Sequence, residues 1–117
     1  MTRRTDRVAE ALQELVAELL LREIKDPRIG LVTITGVKVS ADLRHARVYF
    51  STMGDDAQRA QSLKGLNSAA GFVRSQVARR LNLRVAPQIV FEFDDSLEQA
   101  DRLSRLLKDA LPRDPKP

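Results

Sequence analysis

The sequence predicts a two-layer α+β domain in which helices cover one face of a three-stranded mixed sheet. Three observations predict it. Apolar residues recur every three or four positions at both ends of the chain and in its middle, the period of helices lying on a core. Between these stretches lie short segments in which apolar and polar residues alternate, the period of half-buried strands. A length of 117 residues, 43% of them apolar, suits one core and leaves little room for a second.

Residues 5–25 read as the first helix, with Val8, Leu12, Leu15, Val16, Leu19, Leu20 and Ile24 on one stripe. Thr5 or Asp6 can cap its start. Asp26-Pro27 ends it, because the residue before a proline avoids helical backbone. "LVTITGVKV" at 31–39 is the first strand. Its apolar residues change parity across Gly36, and a bulge at Thr35-Gly36 restores them to one face. The short link "SADL" leads into "RHARVYFS" at 44–51, an antiparallel partner with Ala46, Val48 and Phe50 inward. Asp55 or Asp56 then caps a helical stretch carrying Leu63, Leu66, Ala70, Val73, Val77 and Leu81. Gly71 lies inside it, so the stretch reads as two helices joined at a kink. Residues 85–93 form a third strand with Ile89, Phe91 and Phe93 inward, and Pro87, which lacks a donor, places it at a sheet edge. The kinked pair is the crossover expected to bring this strand back parallel to the first. Ser96, with Gln99 three residues on, opens the last helix. Its Leu97, Ala100, Leu103, Leu106, Leu107 and Leu111 make an apolar face. The domain is expected to span 1–111, with 112–117 a flexible tail.

The net charge of +4 understates a local imbalance. Residues 57–91 contain no Asp or Glu but hold Arg59, Lys64, Arg74, Arg79, Arg80 and Arg84. The rest of the chain keeps fourteen bases against sixteen acids. A localised positive field suits a polyanion, whose counterions are released on contact. The alternative is a merely solvated helix face. At Gly71 the neighbours Ala69 and Ala70 are also small, and a kink there would free amides at a second helix start, where anions bind. Close helix packing alone explains the same three residues.

Other classes find little support. There is no cysteine, hence no disulfide framework and no thiolate metal site. His45 is the only histidine, without the partners that a nucleophilic or zinc mechanism needs. Asp94 and Asp95 are explained as helix caps. No phosphate-loop motif for nucleotide hydrolysis is present. The longest apolar run, Leu19-Leu20-Leu21, is too short to span a membrane. The sequence therefore reads as a cytoplasmic protein with no cofactor, no metal and no small-molecule substrate.

The order helix–strand–strand–helix–helix–strand is that of a type II KH domain. Such domains usually join their paired helices by a G-x-x-G loop. Here that position holds "NSAAG" at 67–71, an A-x-G kink. This substitution resembles the bacterial ribosome-binding factor A family, and so do "RTDRVAEAL", "KDPRIGLVTITGVKVSADLRHARVYFS" and "LNSAAGFVRSQVARRLNLRVAPQIVFEFDDS". The resemblance covers nearly the whole chain. It implies a non-enzymatic, monomeric factor that binds the free or immature 30S small subunit. Such a factor assists late maturation of 16S ribosomal RNA near its 5′ end, above all in the cold.

On that resemblance Ala69 and Gly71 carry over as the kink, and Asn67, Ser68 and Arg74 are expected nearest RNA. Lys64, Arg79, Arg80 and Arg84 extend the charge, and Arg47 widens it from the hairpin, as can Lys38 and Arg44. With few aromatics, recognition of RNA shape and backbone is expected to outweigh base stacking. The competing reading is a protein-binding adaptor that docks a ribosomal protein or a GTPase through its amphipathic helices.

Overall fold

The protein is described by a computed structural model covering residues 3–110. Three helices and three strands follow one another as α1 (Arg3–Arg22), β1 (Val32–Val39), β2 (His45–Thr52), α2 (Asp56–Arg80), β3 (Gln88–Phe93) and α3 (Ser96–Ala110). The α+β architecture with a mixed sheet is the one its patterning predicts. Leu111 and the tail lie outside the described residues.

The core forms where the α1 stripe (Leu12, Leu15, Val16, Leu19) and the inner face of α2 (Leu66, Val73, Val77) meet one face of the sheet. Ala46, Val48 and Phe50 point into it from β2, as the alternation requires. The expected bulge is present. Pairing of β1 with β2 shifts between Ile34 and Gly36, which leaves Thr35 opposite no partner and returns Val37 and Val39 to the side of Val32 and Ile34. Phe93 closes the core edge-on against Phe50, with ring centroids 5.8 Å apart.

The sheet order is β1-β2-β3, so β3 is an edge strand, with Pro87 just before it. However, β3 lies parallel to β2, not to β1. The reason is connectivity. The helix α2 leaves the end of β2 and returns to its beginning, so the strand that follows runs in the direction of β2, which is antiparallel to β1.

Two further expectations are corrected. The helix α2 runs unbroken for 25 residues through Gly71. Glycine costs a helix interior roughly 1 kcal/mol, and the buried stripe of Ser62, Gly65, Leu66, Val73 and Val77 holds both halves on the same sheet face. Asp55 caps its start by accepting the Gln58 amide. Leu81 caps its end, and Asn82 takes the left-handed conformation that turns the chain away. The second correction concerns α3, of which no residue is buried. Its apolar stripe has no partner among the described residues, and the molecule measures 65 × 36 × 18 Å.

Candidate nucleic-acid interface

Because the inner stripe of α2 is fixed on the sheet, the residues half a turn away must face solvent. Lys64, Asn67, Gly71, Arg74, Ser75 and Ala78 follow one another at steps of one, three or four and line the outward side of the helix. This outward stripe has a cation towards each end and small or polar residues between. A Cβ built on Gly71 would meet nothing within 4 Å, so backbone is uncovered there. The amides do not form a free helix start, since the helix continues through them. The stripe therefore offers a shallow, low-profile surface flanked by positive charge, in place of the anion-binding corner that a break would create.

The loop between α1 and β1 reaches this surface. Arg28 donates to the Asp26 carboxylate at 2.7 Å and to the Ser68 hydroxyl at 3.0 Å. Its hydrogen bonds hold the Asp26 carboxyl below the usual carboxylate range, and Asp26 in return raises the Arg28 guanidinium. Ser68 is thus a partner of Arg28 beside the stripe. Ala69 is half-buried next to it.

The remaining sequence-predicted residues divide by their partners. Arg80 reaches back to α1, 3.1 Å from Glu23 and 4.0 Å from Glu18, so its charge clamps α2 to α1 and the residue just past it. Arg74 donates weakly, at 3.3 and 3.4 Å, to the Ala86 carbonyl. Among the described residues Lys64, Arg79 and Arg84 have no acidic partner. Arg84 lies beyond the end of α2, away from the stripe. Arg47 is on the outward face of β2, 3.8 Å from Glu92, and so on the side of the sheet opposite the helices. The structure therefore brings together Lys64, Asn67, Ser68, Gly71 and Arg74, with Arg79 nearby, and leaves Arg47, Arg80 and Arg84 out of that group. Arg59 belongs to the acid-free segment but is also engaged. It pairs with Glu98 at 2.7 Å and lies 3.7 Å over the Phe93 ring.

Residues 4–107 match the family described as Ribosome-binding factor A. The chain belongs to that family. A Geobacter metallireducens ribosome-binding factor A is 52% identical over 109 residues, spanning 93% of this chain and 92% of its own. A Thermotoga maritima candidate ribosome-binding factor A, solved in solution by NMR, superposes with a TM-score of 0.68 at 36% identity. That alignment covers 82% of this chain and 92% of the other. A homology-based structure of the Thermus thermophilus ribosome-binding factor A, fitted into a cryo-EM map of its complex with the 30S subunit, shares the fold. Its TM-score is 0.59 at 24% identity, over 82% and 97% of the two chains.

Within the family frame, one residue beside the stripe escaped the sequence reading. Phe72 follows Gly71 and keeps 40% of its surface exposed, beside a shallow cavity of about 230 Å³ that Ser68, Ala69 and Lys25 also line. Its ring adds an exposed aromatic face beside the polar stripe. The signal was available. Leu66, Val73 and Val77 set the inner stripe, and Phe72, six residues after Leu66 and five before Val77, falls off it.

Proposed function

We propose that the protein is a non-enzymatic RNA-binding assembly factor. It works in the cytoplasm as a monomer, holding free or immature 30S subunits and assisting late maturation of 16S ribosomal RNA near its 5′ end, above all in the cold. The observation that carries this reading is the outward stripe of α2: exposed, free of acids, bare of side chain at Gly71, and cationic towards both ends. Membership of a ribosome-binding family supports the ribosome as the partner. Lys64 and Arg74 contact phosphate, Asn67 and Ser68 supply short polar arms, and Gly71 lets a strand approach backbone closely.

The test is co-sedimentation of the protein with free small subunits, large subunits and joined ribosomes over a salt series. Binding confined to free small subunits and steep in salt is expected. Equal binding to every particle would defeat the specific reading. Lys64→Glu with Arg74→Glu should abolish binding in a folded protein, whereas Arg80, already paired, is a poor choice for charge reversal.

A second reading has its own support. The helix α3 leaves Leu97, Leu103, Leu106 and Leu107 exposed, which suits an adaptor docking a ribosomal protein or GTPase. That contact would be nearly flat in salt and would survive reversal of Lys64 and Arg74.

A further inference from the structure

Beyond the C-terminal end of α2 the domain holds a cavity of about 400 Å³, where the start of α1, the β1–β2 turn and the segment after α2 meet. Arg4, Arg44 and Arg84 all line it. Among the described residues none of the three forms a salt bridge, whereas Arg28, Arg59, Arg80 and Arg105 each lie within 3.1 Å of a carboxylate. The one acid beside them is Asp42, whose carboxyl is lowered by its hydrogen bonds from the Ser40 hydroxyl and the Arg44 amide and further by the Arg44 charge. Three cations against the single Asp42 carboxylate leave the cavity with a positive excess that a further anion would offset. Guanidinium forks match phosphate oxygens in pairs, which makes phosphate the natural occupant.

The arginines rest on a built frame. Asp42 Oδ1 accepts the Ser40 hydroxyl at 2.6 Å and the Arg44 amide at 3.0 Å, and Ser40 Oγ accepts the His45 amide at 3.0 Å. These bonds hold Leu43 at φ +61°, a conformation that a leucine rarely takes. The Gln88 amide donates to the Arg44 carbonyl at 2.8 Å and ties the turn to β3. Asn82, at φ +51°, aims the chain towards Arg84.

Two details argue for more than a bare anion. The volume is in the range of small-ligand sites, roughly 300–1,000 Å³, and Leu83 and Val85 give it an apolar wall. Asp42 also lines the cavity, and its Oδ2 has no hydrogen-bond partner among the described residues. A carboxylate oxygen repels phosphate but accepts a hydrogen bond from a sugar hydroxyl, and RNA carries one that DNA lacks. We infer that this corner is a second RNA contact, a pocket for one ribose-phosphate unit, with Arg4, Arg44 and Arg84 on the phosphate and Asp42 on the 2′-hydroxyl. It rests on the reading that the protein binds RNA. It lies about ten helical residues, or roughly 15 Å, past Gly71, so one strand following α2 can reach both.

The test is fluorescence anisotropy with a labelled oligouridylate and its 2′-deoxy and 2′-O-methyl counterparts. Wild type should prefer the ribo strand, because only it donates a 2′-hydroxyl proton. R44Q/R84Q, whose side chains make no hydrogen bond among the described residues, should weaken ribo binding at least tenfold and erase the preference. R102Q/R105Q on α3 removes the same charge elsewhere and should weaken binding no more than twofold. Failure of wild type to bind any strand would sink the functional reading itself. RNA binding that K64Q/R74Q weakens but R44Q/R84Q leaves intact would overturn the pocket alone. Equal losses from R44Q/R84Q and R102Q/R105Q would overturn it too. A ribo strand bound no better than the other two would remove the assignment of Asp42. Titration with inorganic phosphate, followed by NMR at the Arg44 and Arg84 side chains, closes the test. Saturation at micromolar phosphate, with RNA binding unchanged in R44Q/R84Q, would mark a free-phosphate site instead.

Discussion

Gly65 and Gly71 stand in the same helix and have opposite tasks. A Cβ on Gly65 would come within 2.6 Å of Ile29 Cγ1 and 3.2 Å of the Ile29 amide nitrogen. Both the loop backbone and a buried side chain would have to move. Overpacking of this kind costs about 1–3 kcal/mol, more than the roughly 1 kcal/mol of helix propensity that alanine adds. Gly65→Ala should therefore lower the unfolding free energy. Nearby, Ser62 fixes the same loop by donating to the Ile29 carbonyl at 2.7 Å. At Gly71 nothing lies within 4 Å, so Gly71→Ala should raise stability by about 0.5–1 kcal/mol. Urea denaturation of both variants gives the signs. If Gly71 is where a strand approaches backbone, the stabilised Gly71→Ala protein should bind small subunits more weakly than wild type. A variant that is more stable and equally tight would show that no strand approaches backbone at Gly71.

At the scale of elements, α3 is attached through its first turn. Thr35, the residue freed by the β1 bulge, donates its hydroxyl to Asp94 at 2.7 Å, and the Ser96 amide donates to the other Asp94 oxygen at 2.9 Å. The Ser96 and Thr35 hydroxyls and the Ser96 amide hold the Asp94 carboxyl below its ordinary value of 3.8. A depressed carboxyl stabilises the fold above its unfolded value and loses that contribution as pH falls through the folded one. The junction should thus stay closed down to pH 3.8 and loosen only below it. Thr35→Val should move the loosening upward, as read from the Ser96 amide signal by NMR. Since no α3 residue is buried, removing residues 96–117 should leave the core transition almost unchanged, because what is lost is the Arg59–Glu98 pair and the exposed first-turn bonds of Ser96 and Gln99 to Asp94 and Asp95. The strands and the bulge were legible because a period of two assigns every side chain to a face, and the edge position of β3 because Pro87 lacks a donor. Which neighbour β3 joins was not, since alternation carries no information about pairing. Gly71 suggested a break because propensity is local, whereas Leu66, Val73 and Val77 hold the helix together through tertiary packing. The leucines of α3 resembled a core face because a stripe specifies amphipathicity and says nothing of what covers it.

At the scale of the whole molecule, the basic segment is less uniform than its composition. Arg59 and Arg80 are neutralised by Glu98 and Glu23, pairings between distant positions that no local pattern reveals. Lys64, Arg74 and Arg79 remain without acidic partners among the described residues. This difference predicts how the protein responds to salt. A contact with ~4 to 6 single-stranded phosphates gives a log–log slope of roughly −3 to −4, and each phosphate contact removed takes away about 0.7. K64Q/R74Q/R79Q should therefore flatten the salt dependence of small-subunit binding by about 2. R59Q/R80Q should leave the slope near its wild-type value and instead lower thermal stability, because those arginines link α2 to α3 and α1. Sedimentation binding across a salt series, paired with thermal melts, separates the two classes. Equal flattening by both sets would mean that RNA senses the summed field of the molecule, and that the outward stripe of α2 has no privileged role in contact.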